Sequence, residues 1–289
     1  MTGTPAEAVT HSLERPGATI TYDVRENAAS SKTPLFMIGH PMSASGFVTL
    51  ASHFTDRRVI TYDPRGFERS VRTDRAGNTA DLVADELHAV IEALGGGPVD
   101  MFASSGGAIT ALALVARHPN DLRKLVAHEP PLTAVLPDNA EAKAAVMDIV
   151  DTYQSRGGAW GMAKFMAVVT HQGEIPPDWA ARPAPDPQMF GMPSEDDGKR
   201  DDPMMASLVA LTSYEPDIAA IKAAPTRVVI AGGEDEPGTM ANRGAHGIAQ
   251  RLGSTLVNFP GGHGGFLGGE YGQMGKPDEF AKKLHEVID

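Results

Sequence analysis

The stretch Val99-Asp100-Met101-Phe102-Ala103-Ser104-Ser105-Gly106-Gly107-Ala108 constrains this chain more than any other. An apolar run of strand length ends in small-x-Ser-x-Gly, and Ala108-Ile109-Thr110-Ala111-Leu112-Ala113-Leu114 continues as a smooth helical face. A strand that turns at once into a helix belongs to a layered α/β protein. The turn also perches a serine, exposing Oγ and aiming the next backbone N–H at the same point. Ala103 and Gly107 supply the small flanks such a turn requires, because a larger side chain would collide with neighbouring backbone. An ordinary glycine-rich strand–helix loop would carry the same letters. The serine therefore needs partners elsewhere.

The rest of the chain supports the layered reading. Strands are expected at Ile20–Val24, Leu35–Ile38, Val59–Tyr62, Val99–Ala103, Leu122–His128, Arg227–Ala231 and Thr255–Asn258. Between them, residues 81–94 place leucines and valines at helical spacing and stop at Gly95-Gly96-Gly97. Such alternation predicts a doubly wound, mostly parallel sheet, with active residues in loops beyond the carboxyl ends of the strands. The alternation breaks between about Pro130 and Ala224. There the pattern predicts helices at Asn139–Ser155, Ala159–Thr170 and near Pro203–Leu211, around a proline-rich passage from Pro176 to Pro193. The expected organisation is a core domain of residues 1–130 and 225–289 with an inserted, mainly helical lid at 131–224. Met147, Met162, Met166, Met189, Met192, Met204 and Met205, with Trp160, Phe165, Trp179 and Phe190, suggest an apolar ligand under that lid.

Composition removes several function classes. A formal charge of −12 with scattered basic residues argues against a nucleic-acid partner. No run approaches the ~18 apolar residues of a membrane helix, so no membrane partner is expected. The start, Met1-Thr2-Gly3-Thr4-Pro5-Ala6-Glu7, lacks the basic-then-apolar pattern of a secretory signal. Zero cysteines exclude disulfides and thiolate chemistry and fit a cytoplasmic location. The ten histidines show no His-Glu-x-x-His or comparable spacing, so neither a metal nor another cofactor is expected. The oligomeric state is not written in the pattern.

Three loops carry groups that suit the serine. Ile38-Gly39-His40-Pro41-Met42 ends an early strand. An oxyanion needs two backbone donors, and Gly106 N–H and His40 N–H are the candidates. Pro41 cannot donate, which leaves Met42 as fallback. Pro260-Gly261-Gly262-His263-Gly264-Gly265-Phe266 follows the last strand and offers His263 as base in a loop of little bulk. Serine followed much later by histidine is the chain order of one triad arrangement. For the acid that orients the base, two candidates stand level: Asp235 in Ala231-Gly232-Gly233-Glu234-Asp235-Glu236, and Glu129 in Val126-Ala127-His128-Glu129-Pro130-Pro131. A glutamate at 129 has the extra methylene to reach the same imidazole from one strand closer, and Glu234 is a distant third. Each also has a plain reading as a capping or solvated carboxylate.

Together these loops resemble the α/β-hydrolase superfamily over nearly the whole chain. Asp63-Pro64-Arg65-Gly66-Phe67-Glu68-Arg69-Ser70 is similar to that family's Asp-x-Arg-Gly-x-Gly-x-Ser loop, with Glu68 replacing the second glycine. Ala103 stands for the usual first glycine of the nucleophile turn, and Ile38 for the histidine before the oxyanion glycine. The resemblance implies Ser105 as nucleophile, His263 as base and Asp235 as acid. The Ser-Ser-Gly turn followed by His128-Glu129-Pro130 is also similar, locally, to fungal zearalenone lactonases, which implies Glu129 instead. The expected activity is cofactor-independent cleavage of a small apolar carboxylic ester or lactone through an acyl-enzyme on Ser105. The same site also suits a carbon–carbon hydrolase, acyl transferase or perhydrolase, and the same fold a slow-turnover ligand receptor.

Overall fold

The computed structural model describes residues 7–289. Residues 1–6, most of the amino-terminal stretch read above for a signal, lie outside the described residues. Among the described residues nine strands form one sheet: β1 (Val9–Arg15), β2 (Ala18–Arg25), β3 (Leu35–Ile38), β4 (Val59–Tyr62), β5 (Val71–Arg72), β6 (Val99–Ser104), β7 (Leu122–His128), β8 (Arg227–Gly233) and β9 (Val257–Phe259). Their order is β1-β2-β4-β3-β6-β7-β8-β9, with β5 on β2. From β4 to β9 every pairing is parallel, whereas β1, β2 and β5 are antiparallel. The expected strands at Leu35–Ile38, Val59–Tyr62 and Leu122–His128 match residue for residue, and the last begins two residues later than its pattern suggests. The β1 strand has no counterpart in that reading. Its side chains are mostly exposed, so its sequence carries no buried face to detect.

Helices cover both faces: α1 (Val48–Ser52), α2 (Ala80–Ala93), α3 (Gly106–Arg117), α4 (Asn139–Arg156), α5 (Gly158–Thr170), α6 (Pro203–Thr212), α7 (Ile218–Ala223), α8 (Met240–Leu252) and α9 (Pro277–Ile288). Alternation along the strands decides which core each side chain joins. Phe36, Ile38, Met101, Ala103, Leu125, Ala127 and Ile230 pack with α2, α3 and α8. Leu35, Met37, Phe102, Val126, Val229 and Ala231 pack with α1 and α9 on the other face. A one-residue slip of any of these strands would exchange the two sets, so the register is strongly specified. It pairs Ile38 with Ala103, Ser104 with His128 and His128 with Ala231. The loops after β3, β6, β7 and β8 therefore leave the sheet side by side.

The segment between β7 and β8 carries α4 to α7. Asp202 accepts hydrogen bonds from Met204 N and Met205 N, and Pro203 occupies the first turn, which starts α6 where the sequence places it. Residues of α4, α5 and α6 share an apolar cluster with Met240 of α8, and Val146, Ile149, Tyr153, Val168 and Met205 are among its members. No described helix is long and apolar enough to cross a membrane.

Candidate active site

Ser105 follows directly on β6, with φ 58° and ψ −129°, a conformation that costs a non-glycine residue about 1–3 kcal/mol. The surroundings hold it there: Ser105 N donates to His128 O at 2.9 Å, and Ser105 O accepts from Ala108 N at 2.9 Å. The next residues must be glycine for reasons of space. A Cβ on Gly106 would lie 2.8 Å from His40 O, and one on Gly107 would lie 2.8 Å from Gly39 Cα. The turn after β6 and the loop after β3 are thus in backbone contact. That contact brings His40 and Gly106, whose amides are the expected donors, to the walls of one cavity with Ser105.

The His40 side chain plays a different part. It is buried, packs edge-on to Phe67 at 5.0 Å, and its Nε2 accepts from Asn78 Nδ2 at 3.2 Å. Burial lowers its pKa to about 4, so the ring is neutral near pH 7. The family-like loop after β4 is structural too. Asp63 Oδ1 accepts from Ala44 N at 3.0 Å, and Arg65 Nε donates to the buried Glu86 at 2.8 Å. Glu68, the glycine replacement, keeps the left-handed turn at φ 42°, and its carboxylate accepts from Ser45 Oγ at 2.6 Å.

His263 lies in the loop after β9, with its side chain partly exposed. Its Nδ1 is 2.8 Å from Glu129 Oε2. Glu129 is wholly buried, at φ 49°, and its other oxygen accepts from Gly233 N at 2.8 Å and Asn242 Nδ2 at 3.2 Å. Burial alone would raise its pKa, but the His263 hydrogen bond, the neighbouring imidazoles and the Gly233 amide together lower it to about 2. Glu129 is therefore an anion at working pH, and Nδ1 of His263 carries the proton.

Asp235 is not at the imidazole. It is exposed and pairs with Lys276 at 2.7 Å, because the backbone after β8 turns it outward where Asp235 N reaches Gly261 O. This corrects the expectation carried by the family resemblance. Glu234 is likewise exposed. Sequence reasoning missed Glu236, whose Oε2 accepts from His263 N at 3.1 Å, and Asn242, the second ligand of Glu129 Oε1. A carboxylate next to two named candidates was the available signal for the first. Nothing in the pattern marked the second. His128, buried beside Glu129, lies 6.2 Å from the His263 ring, neither of its nitrogens has a partner, and burial lowers its pKa to about 4.

Ser105, His263, His40 and Gly106 line one cavity of about 440 Å³. Phe165, Met166 and Val169 of α5 and Met204, Leu208 and Leu211 of α6 supply much of its apolar wall, and no Lys or Arg is among its lining residues. Of the aromatic residues singled out from the sequence, only Phe165 reaches it. Trp160 Nε1 instead donates to Ser194 O at 2.9 Å, Trp179 packs on His171 and Phe190 is exposed. Of the methionines, Met166 and Met204 line the cavity, and Met147 and Met189 are exposed.

A family model described as alpha/beta hydrolase fold matches residues 35–160, the part of the chain that holds β3, the serine turn and Glu129. The matched stretch and the sheet order above are those of an α/β-hydrolase fold. It is 26% identical over 285 residues to Uncharacterized hydrolase YraK of Bacillus subtilis (strain 168), covering 96% of this chain and 95% of that protein. Among solved structures, a thermophilic esterase from Thermogutta terrifontis superposes with a TM-score of 0.66 at 19% identity, over 98% of each chain. The enol-lactonase from Burkholderia xenovorans LB400 gives 0.64 at 15% identity, over 96% of this chain and 99% of its own. At such identities the likeness is one of fold.

Proposed function

We propose that this α/β-hydrolase is a serine hydrolase of small, apolar carboxylic esters or lactones. The observation that carries the reading is the hydrogen bond of buried Glu129 to His263, which lines the same cavity as Ser105. In this reading His263 Nε2 takes the Ser105 Oγ proton as Oγ adds to the substrate carbonyl. The His40 and Gly106 amides hold the tetrahedral oxyanion. Collapse expels the alcohol, protonated by His263, and leaves the acyl group on Ser105. Water then adds to the acyl carbon, giving its proton to His263, and Ser105 leaves as the free alcohol. Glu129 stays ionised throughout and stabilises the imidazolium.

The helical insertion acts here as the lid, since α5 and α6 wall the cavity with apolar side chains. A cavity without a lysine or arginine favours neutral acyl groups over anionic ones. The fold likeness to an esterase and to an enol-lactonase agrees with this choice among the superfamily's chemistries. The test is a fluorophosphonate adduct mapped by mass spectrometry, together with hydrolysis of short p-nitrophenyl esters and a lactone panel. The adduct is expected on Ser105. Ser105→Ala should lose at least about 10⁴ in kcat with its melting temperature unchanged to within a few degrees. Wild-type turnover by Ser105→Ala would end the proposal.

A further inference from the structure

The end of the sheet opposite the cavity holds a second cluster of chemistry-bearing side chains. Asp121 lies immediately before β7, whose far end carries Glu129, and His118 closes α3, whose first turn carries Gly106. His88 reaches them from α2. His88 Nδ1 is 2.8 Å from Asp121 Oδ2, and the His88 and His118 rings stack at 3.9 Å with 5° between their planes. One donor atom from each of His88, His118 and Asp121 lies within 4.8 Å of the others. Helical spacing could not have announced this set, because its members come from three separate elements.

We infer that His88, His118 and Asp121 form a binding site for a borderline divalent transition-metal ion, Zn²⁺ being the natural occupant. Two imidazoles and one carboxylate are the ligand set such ions prefer, whereas Mg²⁺ and Ca²⁺ favour oxygen alone. Outer support is already present. His118 Nε2 is 2.8 Å from Asp85 Oδ1, and Arg117 clamps Asp85 through Nε at 3.0 Å and Nη2 at 2.8 Å. A carboxylate on the non-ligating nitrogen of a histidine fixes the ring and raises its basicity, which leaves Nδ1 of His118 to bind metal. Charge points the same way. The Asp121 side chain is only 9% exposed and, among the described residues, has neither a lysine nor an arginine within ion-pair distance. A divalent ion supplies the missing positive charge between two stacked rings that would repel each other if both were protonated. The rings themselves remain reachable, at 34% and 23% exposure for the His88 and His118 side chains. To hold the ion, the two rings must unstack so that one nitrogen of each converges with the Asp121 carboxylate, with water as fourth ligand. The ion takes the place of the His88–Asp121 hydrogen bond. Bound there, it ties α2 to the α3–β7 connection, away from the cavity.

The decisive experiment is calorimetric titration of the chelator-stripped full chain with ZnCl₂ at pH 7.5, with CoCl₂ and MgCl₂ in parallel. One Zn²⁺ per chain should bind, Co²⁺ should give the visible absorption of a four-coordinate N/O site, and Mg²⁺ should give no comparable heat. The melting temperature should rise by a few degrees when zinc is in hundredfold excess over Kd. His88→Ala and His118→Ala should each weaken zinc binding at least tenfold, and Asp85→Asn should weaken it by about 10- to 100-fold. His285→Ala removes the histidine of the other His–carboxylate grouping, Asp56, His285 and Asp289, and should leave the affinity unchanged. Absence of zinc binding would overturn the inference. So would binding of wild-type strength in both His88→Ala and His118→Ala, or binding lost with His285→Ala. Ester turnover is a separate readout, so failure of this site leaves the catalytic proposal standing, and the reverse holds.

Discussion

Adjacent strands β7 and β8 each deliver an acid to the same rim of the sheet and treat it in opposite ways. At the end of β7 the chain bends through a left-handed residue, buries Glu129 completely and surrounds it with an imidazole, a backbone amide and a side-chain amide. At the end of β8 it turns Asp235 to solvent against Lys276. Both loops look equally suited in sequence. The lesson is that desolvation together with donor count selects the carboxylate that meets the imidazole. A buried anion persists only where such partners are built around it, whereas an exposed ion pair contributes about 0–1 kcal/mol.

That contrast can be broken by experiment. Glu129→Gln should lower kcat by about 10³–10⁴, because a neutral amide neither fixes the tautomer nor stabilises the imidazolium; ester hydrolysis followed at saturating substrate measures it. Asn242→Ala removes one ligand of Glu129 Oε1 and should cost about 1.5–3 kcal/mol in denaturant unfolding, with a smaller loss of kcat. Acid stability gives a third handle. His40 and His128 are neutral in the fold down to about pH 4, whereas an unfolded histidine takes up its proton near 6.5. The unfolded chain then binds more protons, so stability falls as pH drops from 6.5 to 4. Glu129 extends the loss from its ordinary 4.5 down to about 2. His128→Phe, set among Phe102, Phe259, Phe266 and Phe280, should flatten the upper part of that profile in thermal melts. Asp235→Asn should change kcat by no more than about twofold. A large loss there with little in Glu129→Gln would reverse the comparison.

Much of this was legible in the chain. The serine turn, the glycine-flanked His263 and the alternating strands follow from local rules of sterics and periodicity, so their positions could be read directly. The acid could not. Whether Glu129 or Asp235 meets the imidazole depends on how β7 and β8 register and on where the peptide after each strand points, and these are properties of the assembled sheet. Asn242 and Asn78 escaped notice for a related reason: an asparagine becomes a partner only when another element brings a carboxylate or an imidazole to it. The insertion's helices were visible from their spacing. Which of its aromatic and methionine side chains face the cavity was not, because α5 and α6 are apolar around much of their circumference.

The apolar cluster that α4, α5 and α6 share has a consequence for how such a molecule changes over time. Those helices pack largely on one another, so cavity-facing residues there can be exchanged with little change to the strands beneath Ser105. The region between β7 and β8 is thus an interchangeable module: libraries confined to α5 and α6 should alter substrate choice while folding yields stay high, and helices grafted from a relative have a ready-made seat.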